Sequence, residues 1–250
     1  MPENIDAALE LVHRLVGYPL AFVIAPWAVA TFAGKPGHHW SGKAYALVMT
    51  FLYLTGTTLT LTRHPWGSWE FGRNVIFNLL GYSLLLHGWR SMWLVTHPQT
   101  PRPVLLDRLL LALLAAMVTV LAALAVARTN TPLHIFVVIG IGLVLLELRD
   151  WSRGLTRPIL YRRHARYMLG SYFYVLTVVS LVHLKDELTS DARWLWPSAI
   201  ALAVIWFVGE GSRANKWAVR ATLAVALAFG VYVGYDTAAH GFTSVRAGQR

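Results

Sequence analysis

The sequence contains no cysteine, which excludes a disulfide, a thiolate metal ligand and a cysteine nucleophile. Any metal site would therefore use histidine, aspartate or glutamate. Charged residues are also scarce, at 14% of the chain against roughly 25% in soluble domains. No pattern is typical of a phosphate-binding loop, a nucleophile elbow or an HExxH zinc site. The sequence therefore assigns no catalytic residue.

Apolar residues are abundant instead, at 56% of the 250 residues. A membrane-spanning helix needs about 20 mostly apolar residues. Runs of this length predict an all-α integral membrane protein with about eight transmembrane helices, forming a single membrane domain over residues 1–250. The predicted spans are 9–33, 43–62, 74–95, 104–127, 132–149, 165–185, 195–211 and 216–236.

The net charge of +10 comes from basic residues in short segments between the apolar runs. This distribution is typical of membrane topology and does not indicate nucleic-acid binding. Most of the 22 lysines and arginines fall in the first, third, fifth and seventh loops, so the positive-inside rule predicts that both termini lie outside. The N-terminal segment lacks the basic region of a cleavable signal, so we expect the first span to remain as an anchor.

Two similar motifs open the second and sixth predicted spans. GHHWSGKAY occupies residues 37–45 and RHARYMLGSY occupies residues 163–172, and each sets a histidine, a glycine and a tyrosine before an apolar run. The similarity predicts two parallel four-helix repeats, approximately 1–128 and 129–250. Because four helices return the chain to the same side, the repeats would be related by a pseudo-twofold axis along the membrane normal.

Four residues are candidates for a site in the inner leaflet, because ionisable groups within a membrane are costly. His87 lies deep in the third span and Glu210 lies at the equivalent depth of the seventh. His39 and His164 lie at the mouths of the second and sixth spans. Three imidazoles and one carboxylate would suit a divalent transition metal such as zinc, non-haem iron or copper, and two opposed imidazoles would suit haem b. Proton transfer by histidine is an alternative, as are helix capping, lipid contact and interhelical hydrogen bonding.

A second group of histidines lies near the opposite membrane face and comprises His13, His64, His134 and His183, of which His64 is more typical of a surface or interface histidine. Together with the inner group it forms two levels, a layout that resembles di-haem four-helix cytochromes. His13, His134 and His183 are therefore candidate cofactor ligands, although no pair has a diagnostic spacing.

The motif His39-x2-Gly42-x2-Tyr45, preceded by His13-x3-Gly17, resembles an uncharacterised family of bacterial polytopic membrane proteins, classed as a domain of unknown function. The segment 164–172 is similar to the second half of that family. The resemblance covers most of the chain and implies a multi-helix fold in a bacterial cytoplasmic (inner) membrane. It implies no activity and no ligand.

These observations lead to three functional hypotheses. The first is a redox, electron-transfer or metal-binding protein that uses the inner-leaflet histidines and Glu210. The second is a non-catalytic subunit or assembly factor of a larger membrane complex, with span four and the tryptophan-rich rims as docking surfaces. The third is a proton-coupled small-solute transporter, suggested by the parallel repeat and by the intramembrane His87 and Glu210.

Overall fold

The computed structural model describes residues 3–32, 36–97, 104–128, 131–184, 187–207 and 212–240. All regular structure in these ranges is helical, which confirms the predicted all-α class. The first helix, α1, comprises Glu3–Pro19, a π-helical turn over Leu20–Ile24, and Ala25–Ala30. The others are α2 (His38–Arg63), α3 (Trp69–Thr96), α4 (Leu105–Arg128), α5 (Thr131–Ser152), α6 (Arg157–His183), α7 (Ser190–Phe207) and α8 (Ser212–His240).

Six helices in the described ranges are long and apolar enough to cross a membrane. They are α1, α2, α4, α5, α6 and α8. The two remaining helices carry polar groups that lower their hydropathy: α3 begins with Glu70 and Arg73 and contains His87, and α7 begins with Asp191 and Arg193. Exposed leucines and valines along the apolar helices fit a lipid bilayer.

The chain divides into two compact units. Unit 1 comprises Met1–Val16 and Ala46–Ser171, and unit 2 comprises Gly17–Tyr45 and Tyr172–Arg250. The division therefore falls inside α1, α2 and α6, at positions other than the predicted repeat boundary at 128.

Apolar packing between consecutive helices forms the core of unit 1. Leu80 of α3 contacts Leu114 and Val118 of α4, and Leu143 of α5 packs against the same cluster. Gly140 of α5 lies so close to α4 that an added Cβ would be 2.5 Å from a methyl group of Val118. Small residues allow this close approach of membrane helices.

The connection between α5 and α6 is much shorter than the sequence predicted. The predicted spans left residues 150–164 as a basic loop, whereas α5 continues to Ser152 and α6 already begins at Arg157. Gly154 makes the tight turn with φ of +75°, a conformation that glycine adopts at little cost. The basic segment after it is therefore helical and packs into unit 1.

Unit 2 contains an irregularity of α1 that a tyrosine compensates. Ala25 donates its N–H to the carbonyl of Leu20, and Pro26 has no N–H, so the carbonyl of Ala21 has no donor within the helix. The hydroxyl of Tyr172 donates to this carbonyl at 2.9 Å. The π-helical turn thus fixes a buried polar contact between α1 and α6.

Candidate functional site

His87 of α3 is the most deeply buried of the predicted site residues in the described part of the chain, with 2% exposure. Its Nδ1–H donates to the carbonyl oxygen of Ser83 at 2.8 Å. Because the carbonyl only accepts, the proton of the neutral ring lies on Nδ1 and Nε2 is an acceptor. Nε2 has no hydrogen-bond partner among the described residues. An unsatisfied buried polar atom costs about 1–3 kcal/mol.

The imidazole of His87 faces a second buried ring. The centroids of His87 and Tyr167 lie 5.0 Å apart with an interplanar angle of 32°. The hydroxyl of Tyr167 lies near the Glu147 carboxylate, but it makes no hydrogen bond of ordinary geometry. Tyr167 therefore joins the histidine of α3 to a carboxylate of α5.

Glu147 is held by an arginine of α6. Arg163 donates from Nε to Oε1 at 3.2 Å and from Nη2 to Oε2 at 2.5 Å, a bidentate pair in which both side chains are buried. The remaining nitrogen, Nη1 of Arg163, has no hydrogen-bond partner among the described residues. We call His87, Glu147, Arg163 and Tyr167 the interior polar cluster.

Further ion pairs border the interior polar cluster within unit 1. Arg90 of α3 makes two hydrogen bonds to Asp107 of α4, at 2.8 and 3.2 Å. Arg166 of α6 contacts Asp150 of α5 at 3.3 Å. Each cation is matched by a carboxylate, as buried charges require. The charges therefore balance, and three atoms of the interior polar cluster have no hydrogen-bond partner in the described part of the chain: Nε2 of His87, Nη1 of Arg163 and the hydroxyl oxygen of Tyr167.

His164 lies close to His87 but has a different contact. Its Nδ1–H donates to the carbonyl oxygen of Gly88 at 2.9 Å, which connects α6 to α3. Met168 packs where a side chain on Gly88 would otherwise lie. The structure thus brings two of the four predicted inner residues together.

The other two predicted inner residues are His39 and Glu210. His39 is exposed and its ring edge contacts Trp40. Glu210 lies outside the residues that the structure describes. Within the described ranges, no group of three or more histidine, aspartate or glutamate residues is arranged to hold a metal ion.

The three candidate cofactor ligands of the second predicted group lie at different places. His13 makes a 2.7 Å hydrogen bond to the hydroxyl of Thr55 in unit 1. His134 is exposed near the start of α5. His183, at the end of α6 in unit 2, contacts Tyr18 through Nε2 and Asp236 through Nδ1.

Glu147, Arg163 and Tyr167 are not among the site residues predicted from the sequence. A signal for them exists in the spacing: Glu147 and Asp150 are three residues apart, and so are Arg163 and Arg166, their partners. Residues three apart lie on one face of a helix. Two carboxylates and two arginines at equal spacing on either side of a short turn therefore indicate paired helices.

No family model matches the chain, and neither the curated proteins nor the solved structures contain a match.

Proposed function

We propose that the chain is a multi-pass membrane protein that takes up and releases protons at His87, as part of proton-coupled transport of a small solute. The observation that supports this proposal is the unpartnered Nε2 of a buried histidine beside a carboxylate–guanidinium pair. Histidine changes its charge near neutral pH, so a buried ring with one available nitrogen is suited to binding a proton.

The surroundings of His87 favour a proton site over a purely structural role. A structural histidine would use both ring nitrogens, because leaving one of them unsatisfied is destabilising. Around His87, the Glu147 carboxylate is paired with Arg163 and the Asp107 carboxylate is paired with Arg90. A proton arriving at Nε2 would therefore enter a region whose fixed charges already balance.

We also propose the number of membrane spans, the membrane that contains them and the side on which the termini lie. We propose eight spans in a bacterial cytoplasmic membrane with both termini outside, as the basic loops and the family resemblance indicate. The α3 helix has 28 residues, about 42 Å at 1.5 Å per residue, which exceeds a hydrocarbon core of about 30 Å. The polar residues inside α3 lower its hydropathy but leave the helix long enough to span the membrane, so His87 would lie within the membrane.

The test is proton flux in proteoliposomes that enclose a pH-sensitive dye, under an imposed membrane potential. The assay is run alone and with small carboxylates, amino acids and sugars outside. We expect flux in the wild type, and about a hundredfold loss in His87→Gln, because a positioned acid–base group contributes roughly 10²–10⁴ in rate. His97→Gln is the control, since His97 is exposed at the end of the same helix. Wild-type flux no greater than that of protein-free vesicles under every condition would contradict the proposal, as would full flux in His87→Gln.

Coordination of haem or a metal by His87 is a second candidate function. Metal-ligating histidines commonly donate their other ring N–H to a carbonyl, which is the arrangement between His87 and Ser83. A reduced-minus-oxidised visible spectrum with elemental analysis tests it. A Soret band or bound metal that is lost in His87→Gln would support coordination, and a featureless, metal-free protein would exclude it.

A further inference from the structure

The strongest site outside the interior polar cluster lies in unit 2, at the end of α6. His183 is 8% exposed and both of its ring nitrogens are engaged. Nδ1 lies 2.5 Å from Oδ2 of Asp236 on α8, and Nε2 lies 2.6 Å from the hydroxyl of Tyr18 on α1. A phenol, an imidazole and a carboxylate from three helices therefore form one hydrogen-bonded chain.

We propose that Tyr18, His183 and Asp236 form a second proton-binding site, in which proton uptake by His183 reverses the hydrogen bond to Tyr18. The inference is independent of the function proposed for His87. It rests on which atoms can donate and which can only accept.

The direction of each hydrogen bond follows from the carboxylate. An ionised Asp236 accepts only, so the neutral ring carries its proton on Nδ1. Nε2 then accepts from the Tyr18 hydroxyl. When a proton binds, Nε2 becomes a donor, and the phenol oxygen of Tyr18 must accept in its place. No new bond partner is needed at His183, because both nitrogens keep the contacts they already have.

The neighbouring groups hold His183 in position for this exchange. Tyr232 of α8 donates to the backbone carbonyl of His183 at 3.0 Å and contacts the carboxylate of Glu187. The side chain of Asp236 is 15% exposed. The titratable groups that face His183 among the described residues are thus Tyr18 and Asp236, with Tyr232 and Glu187 next to them.

The chemistry also explains why this site differs from the interior polar cluster. Within the described ranges, Nε2 of His87 has no partner, whereas His183 has two, one of which is the Asp236 carboxylate. The Asp236 carboxylate in contact with Nδ1 carries the charge opposite to that of an imidazolium. Binding a proton at His183 therefore changes the orientation of a hydroxyl and leaves no uncompensated charge.

The test is nitrogen-15 NMR of histidine in the full-length protein in lipid nanodiscs at pH 8 and pH 5. His183–Leu184 is the single His–Leu step in the sequence, so pairwise labelling of histidine and leucine assigns the signal without a substitution. We expect a neutral ring with the proton on Nδ1 at pH 8, and an imidazolium with both nitrogens protonated at pH 5. A proton on Nε2 at pH 8, or unchanged signals at pH 5, would overturn the proposal.

Two variants separate the roles of the partners. In Asp236→Asn we expect His183 to remain neutral at pH 5, because the imidazolium loses its counter-charge. Asp191→Asn, at an exposed residue, is the control.

In Tyr18→Phe we expect the Nδ1 tautomer of His183 to persist at pH 8, while the chemical shift of Nε2 moves toward that of a ring without a hydrogen bond. The control is Tyr235→Phe, at a residue that is 72% exposed. Wild-type behaviour of His183 in Asp236→Asn contradicts the site even if the Tyr18 variant fails to fold.

Discussion

The imidazole of His87 differs from that of His183 in what its nitrogens contact. Both rings are buried, yet one nitrogen of His87 has no partner among the residues that the structure describes, whereas His183 has a partner for each nitrogen. Inside a membrane no water is available to hydrogen-bond a polar atom, so a nitrogen without a partner costs free energy there. We therefore assign proton uptake with a change of local charge to His87, and proton uptake with charge compensation to His183.

The hydroxyl of Tyr172 gives a prediction about stability at a single residue. Tyr172→Phe removes the only donor seen for the Ala21 carbonyl in the described residues, and a buried unsatisfied carbonyl costs about 1–3 kcal/mol. We expect the free energy of unfolding in mixed detergent micelles to fall by this amount. The matched control is Tyr235→Phe, on an exposed side chain. Equal stability of the two variants would show that the π-helical turn does not need this contact.

The α5 and α6 helices are paired by two salt bridges, from Glu147 to Arg163 and from Asp150 to Arg166. The sequence analysis treated these arginines as a cytoplasmic loop, because a basic segment between apolar runs is ordinarily solvated. A four-residue connection at 153–156 leaves no room for that loop. The burial of these arginines depends on how α5 and α6 pack, and hydropathy alone does not predict that packing.

A double-mutant cycle measures the coupling between these helices. Glu147→Leu and Arg163→Leu each leave one buried charge without its partner, and we expect each to lower the free energy of unfolding by about 3–5 kcal/mol. The double variant removes both charges, so we expect its loss to be much smaller than the sum of the single losses. Arg162→Leu, at an exposed side chain next to Arg163, is the control on α6. Simple additivity would indicate that the pair is not coupled.

The contact between α4 and α5 gives a second prediction at the element scale. In Gly140→Ala the new methyl group would lie 2.5 Å from Val118, a stiff side chain that cannot move aside cheaply. We expect a loss of about 1–3 kcal/mol in the free energy of unfolding from overpacking. Gly142→Ala is the control two residues away, since its Cβ would meet nothing within 4 Å. Equal losses in the free energy of unfolding for Gly140→Ala and Gly142→Ala would show that a methyl group at position 140 does not overpack the contact between α4 and α5.

At the scale of the whole molecule, composition was enough to predict a helical membrane protein. Long apolar runs report a lipid environment directly, and the helices follow them closely. The site was only partly predictable. His87 could be selected because a histidine within an apolar run is conspicuous, and His164 hydrogen-bonds the carbonyl of the next residue, Gly88. Glu147 and Arg163 were harder to select, because their only signal is the matched three-residue spacing of two carboxylates and two arginines across the turn.

We expect Nε2 of His87, which has no hydrogen-bond partner among the described residues, to bind a proton inside the protein. The most direct measurement is the nitrogen-15 spectrum of His87 in lipid nanodiscs at pH 8 and pH 5, with His87→Gln identifying the signal. We predict a neutral ring protonated at Nδ1 at pH 8 that converts reversibly to imidazolium at pH 5. A ring that remains neutral with Nε2 unprotonated at both pH values would contradict the account and would leave His87 as a structural residue.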